Sequence, residues 1–264
     1  MNTNDLIQRA IKSVSDLLHN YQTSKNPKLQ KNASTLSYWL YDYVKMLKRE
    51  ETFNPRSLKR YKRGEIVKVH LGYNIGSEQG GLHYAIVLTK NDTKSSSAIT
   101  IIPLSSVKVG KPLHSSNVFL GNTIFEQLMD KWKERYAIAK QELEEKTNEL
   151  NALKEYADVH TEDLDVDEAN ALLDSDEGFQ KRAAELCVSI QRLTKLVSNN
   201  SKITKEILKM KTGSVALVNQ ITTVSKIRIY NPLHSKDVLG NIKASDEILD
   251  LIDNKIKELY LGIE

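Results

Sequence analysis

Two adjacent glycines close a polar run, Gly76-Ser77-Glu78-Gln79-Gly80-Gly81, and two positions after them comes His83. An imidazole exchanges a proton near neutral pH, because its unperturbed pKa is about 6.5. Further along, Ile99-Thr100-Ile101-Ile102-Pro103-Leu104 runs into Ser105 and Ser106, whose hydroxyls can donate hydrogen bonds. The glycine pair lets the backbone approach a ligand closely and adopt positive φ where that is needed. Each feature also has a plainer reading: the loop as a long hairpin connection, His83 as an ordinary strand residue, and the serines as turn or capping groups. His70, His114 and His234 have no motif around them and are assigned to structural or surface positions.

The elements that must position these groups are strands. Glu65-Ile66-Val67-Lys68-Val69-His70 alternates with period two and is rich in β-branched residues, so it reads as a half-buried strand that follows a turn at Gly64. Residues 85–88 and 99–102 are short continuous apolar runs, as expected for strands inside a small barrel. Strands continue to 119–121, and a later pair covers 214–220 and 226–230. A closing helix takes Ser245 as its N-cap, with Asp246 and Glu247 at its positive end and Gly262 as terminator. Ile248, Leu251, Ile252, Ile256 and Leu259 give that helix an apolar face to lay across the barrel.

Arg63-Gly64-Glu65-Ile66, the run from Gly76 to Gly81, and Ile102-Pro103-Leu104-Ser105-Ser106 together resemble the MazF/PemK/Kid toxins of type II toxin–antitoxin systems. Residues 213–228, from Gly213-Ser214-Val215-Ala216 to Ser225-Lys226-Ile227-Arg228, are similar to a later block of that family and arrive in the same order. Gly240 and the helix of 245–261 match its closing helix, so the resemblance covers 62–121 and 212–264. It implies an α+β fold built on a small SH3-like β-barrel of the MazF/PemK/CcdB type.

The resemblance also implies a metal-independent endoribonuclease that uses no cofactor and cuts single-stranded RNA. In that reaction the ribose 2′-hydroxyl attacks the adjacent phosphorus, leaving a 2′,3′-cyclic phosphate and a 5′-hydroxyl. The chemistry needs an acceptor for the 2′-proton, a donor for the leaving 5′-oxygen, and donors around the non-bridging oxygens. Two residues past the glycine pair the family typically carries an arginine, and here stands His83; after the Pro-Leu element it usually carries threonine, and here stands Ser105. Arginine holds phosphate as a permanent bidentate cation, whereas histidine exchanges that grip for proton transfer.

His83 and Ser105 are thus the implied catalytic pair, with Glu78, Gln79, Gly80, Gly81, Ser106 and Gln220 binding substrate. The side chains of Glu78, Gln79 and Gln220 suit either the reading of base edges or the positioning of the loop. The implied partners are single-stranded RNA, a cognate antitoxin protein and a second copy of the chain. The alternative is a non-catalytic binding or regulatory protein on the same fold, acting through protein or nucleic-acid partners as gyrase-poisoning relatives do.

Composition narrows the setting. With 264 residues, 40% of them hydrophobic, the chain has ample apolar material for a packed core. The single cysteine, Cys187, excludes an intramolecular disulfide and a multi-cysteine zinc site, and it reads as a buried thiol on a helix. No stretch approaches membrane-spanning length and the N-terminus opens a polar helix, so a cytoplasmic protein is expected. The net charge of +4 says little, but Arg56, Lys59, Arg60, Lys62, Arg63 and Lys68 cluster at the start of the barrel. That cluster either faces a phosphate backbone or is a solvated linker.

Helices flank and interrupt the barrel. Residues 1–55 read as a helical hairpin: Leu6, Ile7, Ala10, Ile11, Val14, Leu17 and Leu18 stripe the first helix, and Asn26-Pro27 opens the second. Residues 56–121 and 212–264 form the barrel with its closing helix, and 122–211 form an insertion. The insertion carries two seams, one through Phe125, Met129, Trp132, Tyr136, Ala139, Leu143, Leu150 and Leu153, interrupted at Lys146, the other through Phe179, Ala183, Leu186, Ile190, Leu193, Val197 and Ile207, interrupted at Asn200 and Thr204. They predict an antiparallel coiled coil roughly 45–50 Å long at 1.5 Å per residue. Its tip, 158–177, holds nine acidic residues and no lysine or arginine. Asp163, Asp165, Asp167 and Asp174 there echo a calcium loop, but Glu168 replaces the required glycine, so a solvated acidic tip is expected.

Overall fold

The computed structural model describes residues 2–107, 110, 112–209 and 213–263. The chain divides into two compact units, Met1–Ile124 with Thr212–Glu264, and Phe125–Lys211. The first unit combines helices with an antiparallel sheet in an α+β fold. Its strands are β1 (Ile66–His70), β2 (Leu82–Val87), β3 (Ala98–Ser106), β4 (Asn117–Gly121), β5 (Ser214–Leu217), β6 (Thr222–Ser225) and β7 (Ile229–Asn231). They follow the order β4-β5-β3-β2-β1-β7, with β6 beside β3, and among the described residues no pairing of β4 with β7 closes the path.

Strand β3 is the pivot. One edge pairs with β2 through Ile101, Ile102 and Pro103; the other pairs with β6 over 98–101 and with β5 over 104–106. Proline lacks an amide N–H, and Pro103 falls where the β2 ladder ends. The sheet is buried on both faces, which is why 85–87 and 101–104 read as unbroken apolar runs rather than alternating ones. Val67, Val69, Ala85, Val87, Ile99, Ile101 and Ile229 share one core with Leu58 and Tyr61. On the other side Ile66, Ile86 and Ile102 are fully buried as well.

A buried ionic pair ties this core to the later strands. Lys226 Nζ lies 2.6 Å from Asp92 Oδ1, both side chains fully buried. Asp92 Oδ2 accepts from Tyr61 N–H at 2.8 Å, and Lys226 Nζ donates to the Thr93 carbonyl at 3.1 Å. This anchor corrects the expected strand over 226–230: residues 226–228 form a 3-10 turn, because Lys226 must point inward to Asp92, and strand structure resumes only at Ile229. The other expected strand likewise stops at Leu217, where a 3-10 turn carries Val218 to Gln220.

Helices α1 (Thr3–Thr23) and α2 (Pro27–Glu50) pack on each other, with Asn26 capping α2 through Lys28 N–H and Pro27 in its first turn. Helix α2 docks on the sheet through Trp39, whose ring lies 4.6 Å from that of His70 and beneath the Arg228 guanidinium at 5.5 Å. Helix α1 buries no residue, and Leu6, Ile7 and Ile11 are exposed. The closing helix α6 (Asp246–Ile256) starts at Ser245, whose hydroxyl accepts from Ile248 N–H, and a further turn ends at Gly262 with positive φ.

In the second unit α3 (Thr123–Thr161) and α5 (Glu177–Lys209) run antiparallel: Glu149 pairs with Arg182 at 2.7 Å, and Tyr156 faces Phe179 at 6.4 Å. Ala139, Leu186 and Leu193 are buried there. Cys187 is exposed, against expectation, because it turns away from the side of α5 that buries Leu186 and Leu193. The described acidic residues of the tip are exposed, as expected, and the tip is partly helical. Val166–Ser175 forms a helix, α4, and the Asp165 carboxylate caps it by accepting from Asp167 and Glu168 N–H at 2.9 Å. Asp176 caps α5 in the same way, so the acidic residues serve the positive ends of two helices. The side chains of Asp174, Asn200 and Ile207 and all of Met210 and Thr212 lie outside the described residues.

Candidate functional site

The loop of 72–81 closes the hairpin between β1 and β2. Leu71 N–H donates to the Gly81 carbonyl at 2.8 Å and Gly81 N–H to the Gly72 carbonyl at 2.6 Å. Glycine is required twice here. Gly81 sits at φ +82°, and a Cβ on Gly80 would lie 2.7 Å from both Cβ and N of Asn74.

Gln220, in the turn after β5, holds this loop from across the sheet. Its Oε1 accepts from Gln79 N–H at 2.5 Å and its Nε2 donates to the Ser77 carbonyl at 3.0 Å. With the backbone pinned, the Gln79 side-chain amide reaches the His83 ring, 2.8 Å from Nε2 and 3.0 Å from Nδ1. Burial lowers the His83 pKa below its ordinary 6.5, while the backbone groups of Leu104 and Gly80 pull it the other way. A lowered pKa favours the neutral ring near pH 7, and its one lone pair is the acceptor for the Gln79 amide, which substrate must displace before the ring can take a proton.

Ser105 comes to the same place on the neighbouring strand. The ladder of β2 and β3 ends at Ala85 facing Pro103, and beyond it the His83 ring still meets the backbone of Leu104, the residue before Ser105. On its other side Ser105 faces Val215 of β5, which in turn faces Phe119 of β4. Gln79, Ser105 and Ser106 line one cavity of about 550 Å³, together with His114, Asn117 and Phe119. Glu78 stands apart from it, exposed, with Oε2 accepting from Ile75 N–H at 3.3 Å.

The structure therefore brings together His83, Gln79, Gly80 and Gly81, with Gln220 behind them and Ser105 and Ser106 beside them. Of the predicted site residues only Gln79, Ser105 and Ser106 line the cavity; His83, Gly80, Gly81 and Gln220 lie beside it, and Glu78 stands apart. His114 is exposed, as expected of a surface position, with Nδ1 2.8 Å from Ser116 Oγ, and it lines the cavity together with Asn117, a residue the sequence did not single out. His70, by contrast, is structural, packed on Trp39 with Nδ1 accepting from Gly72 N–H at 3.1 Å.

The basic cluster also departs from expectation. Lys59 is 2.9 Å from Glu65 and largely buried, Arg63 pairs with Asp253 and donates to the Leu88 carbonyl, and Arg60 Nε donates to the Asp92 carbonyl at 3.4 Å. These residues precede Ile66, which faces Ile86, whereas His83 faces Val69 at the opposite end of the hairpin. The charges of Lys59 and Arg63 are used within the fold, away from the glycine loop, while Arg56, Arg60 and Lys62 are exposed, as in a solvated linker. Among the described residues no three His, Cys, Asp or Glu side chains gather as a metal site would require.

An antiparallel sheet presenting a glycine loop, an imidazole and a serine at one edge of a cavity defines a small α+β binding or catalytic domain. Residues 62–155 match the family described as PemK-like, MazF-like toxin of type II toxin-antitoxin system. The matched span carries β1 to β4, the glycine loop, His83 and Ser105, and supports a toxin of a type II toxin–antitoxin system. No curated protein matches the chain. No helix among the described residues is long and apolar enough to cross a membrane.

Proposed function

We propose that the chain is a cytoplasmic toxin endoribonuclease that cuts single-stranded RNA without a metal ion. The observation that carries this reading is the His83 ring held 2.8 Å from the Gln79 amide, with Ser105 on the neighbouring strand β3, inside the segment that matches the toxin family.

In the proposed reaction His83 accepts the proton of the ribose 2′-hydroxyl as its oxygen attacks phosphorus. The bond from phosphorus to the 5′-oxygen breaks, leaving a 2′,3′-cyclic phosphate on one fragment and a 5′-hydroxyl on the other. Ser105 donates to a non-bridging oxygen as negative charge grows there, a contribution that counts more in a partly desolvated site than in water. We assign the proton of the leaving 5′-oxygen to His114, the imidazole that lines the cavity. Gln79, Gly80, Gly81 and Ser106 hold the substrate backbone, Gln220 keeps the loop in place, and Glu78 contacts the strand outside the cavity. A cognate antitoxin and a second copy of the chain are the protein partners in this reading.

The test is incubation of the purified chain with a long single-stranded RNA in excess chelator. Fragments with 5′-hydroxyl and 2′,3′-cyclic phosphate ends are expected. Fragments with 5′-phosphate, or activity that vanishes with chelator, would overturn the mechanism. RNA that is bound and left intact would select the non-catalytic alternative.

A further inference from the structure

The root of the glycine loop lies under a helix. Gly72, buried where the chain leaves β1, donates its N–H to His70 Nδ1 at 3.1 Å, and its carbonyl accepts from Gly81 N–H, so both ends of the loop close on this one residue. Trp39 of α2 covers it. A Cβ on Gly72 would meet two carbons of the indole at 3.4 and 3.6 Å, and the same ring lies 4.6 Å from that of His70, inclined by 30°.

Further contacts tie the hairpin of α1 and α2 to this point. The Arg228 guanidinium lies over the Trp39 ring, and Arg228 Nη1 donates to the His70 carbonyl at 3.5 Å, while Tyr43 flanks the indole at 5.3 Å. One residue further into the loop, burial and then the Tyr21 phenol of α1 push the Tyr73 pKa up, so the first helix meets the loop as well. Beyond these contacts residues 74–78 are exposed. A glycine-rich segment has many backbone conformations to lose, so the one that brings Gln79 to His83 has to be imposed from outside the loop. Gln220 does this at Ser77 and Gln79, and the hairpin does it at the root.

We propose that the N-terminal hairpin is a brace for the glycine loop, with Trp39 as a positioning residue: its indole clamps Gly72 and His70 and so keeps 72–81 in the conformation that presents Gln79, Gly80 and Gly81 to substrate. The inference rests on the ribonuclease reading and deepens it, because it gives two helices that precede the matched segment 62–155 a part in the same site.

The test compares the parent with Trp39→Ala and Trp39→Phe by amide hydrogen exchange, read by NMR, and by cleavage of a long single-stranded RNA. In Trp39→Ala the amides of Leu71, Gly72 and Gly81 should lose protection, while those of Val87 and Leu88, bonded to the Glu65 and Thr100 carbonyls, keep theirs. The value of kcat/KM should fall about ten- to a hundred-fold, carried by KM, because substrate must then order the loop itself. Trp39→Phe keeps a flat ring over Gly72 and should restore most of both. Tyr21→Ala changes a helix that buries no residue, so it folds whether or not Trp39→Ala does, and it should speed exchange at Tyr73.

Exchange that rises equally in the loop and at Val87 and Leu88 would make Trp39 a packing residue of the whole sheet and overturn the brace. A loosened loop with KM unchanged, in a protein that cuts RNA, would overturn it too and leave the ribonuclease reading standing. A parent that cuts no RNA, while Trp39→Ala and Tyr21→Ala loosen only the loop, removes the reaction and leaves the brace.

Discussion

His83 is the residue on which the chemistry turns, and its proton equilibrium gives it a measurable signature. Burial lowers its pKa, so the form competent to accept a proton is present at pH 7 and is lost as pH falls below 6.5 toward the folded-state value. The rate should therefore show an acid limb with its midpoint below 6.5 in a profile of kcat/KM. His83→Ala should slow cleavage about a hundred- to ten-thousand-fold with the fold intact; a variant as fast as the parent would remove His83 from the mechanism. His83→Arg restores the residue typical of the family; a guanidinium grips phosphate but neither titrates there nor takes the 2′-proton, so it should recover part of the activity lost in His83→Ala and show no acid limb.

The same shift bears on stability. His70 is also lowered, first by burial and then by Arg228, with Asp42 opposing. A group whose folded pKa lies below its unfolded value binds more protons when unfolded, so its contribution is complete above about 6.5 and is lost as pH falls through the folded value. Urea midpoints should accordingly be lower at pH 5.5 than at pH 7.5, and His70→Gln should reduce the difference.

At the level of elements, the site depends on segments far apart in the chain meeting at one edge. Strands β2 and β3 supply His83 and Ser105, and the turn after β5 supplies Gln220, which pins Gln79. The 3-10 turn of 226–228 is anchored in turn by the ion pair of Lys226 with Asp92, which crosses the core beside Tyr61. Removing one partner of a buried pair leaves the other charge desolvated and alone. Lys226→Met should thus cost about 3–5 kcal/mol in urea unfolding, and the double change with Asp92→Asn should cost less. Equal losses in the two variants would mean that the pair is not what holds the segment.

For the whole molecule the question is what the insertion does. Its two ends leave and rejoin neighbouring strands: Gly121 faces Ser214 in the ladder of β4 and β5, and Gly213 N–H donates to Asn122 Oδ1 at 2.7 Å. A short turn can span such a gap, as in any antiparallel hairpin. Replacing 123–210 by a short Gly/Ser connection should leave a folded sheet that still cuts RNA, with a changed oligomeric state or antitoxin affinity. Folded protein with unchanged assembly but no cleavage would place the insertion in the reaction instead.

Local features of this protein were legible in its sequence because the forces that set them act within a few residues. Alternation in 65–70 marked β1, Asn26-Pro27 and Ser245 marked helix starts, and Gly262 marked an end, each satisfying backbone groups of its own turn. The glycine loop was legible too, since Gly80 and Gly81 meet steric demands that only glycine satisfies. Tertiary structure alone decided which groups the charges and amides would meet. Arg63 found Asp253, Lys226 found Asp92, and Gln220 found Gln79, in each case across a separation at which sequence spacing carries no information. The first pairing takes one charge of the basic cluster into the fold and the second breaks the strand expected over 226–230; strand register, not order along the chain, sets Phe119 in one row with Ser105.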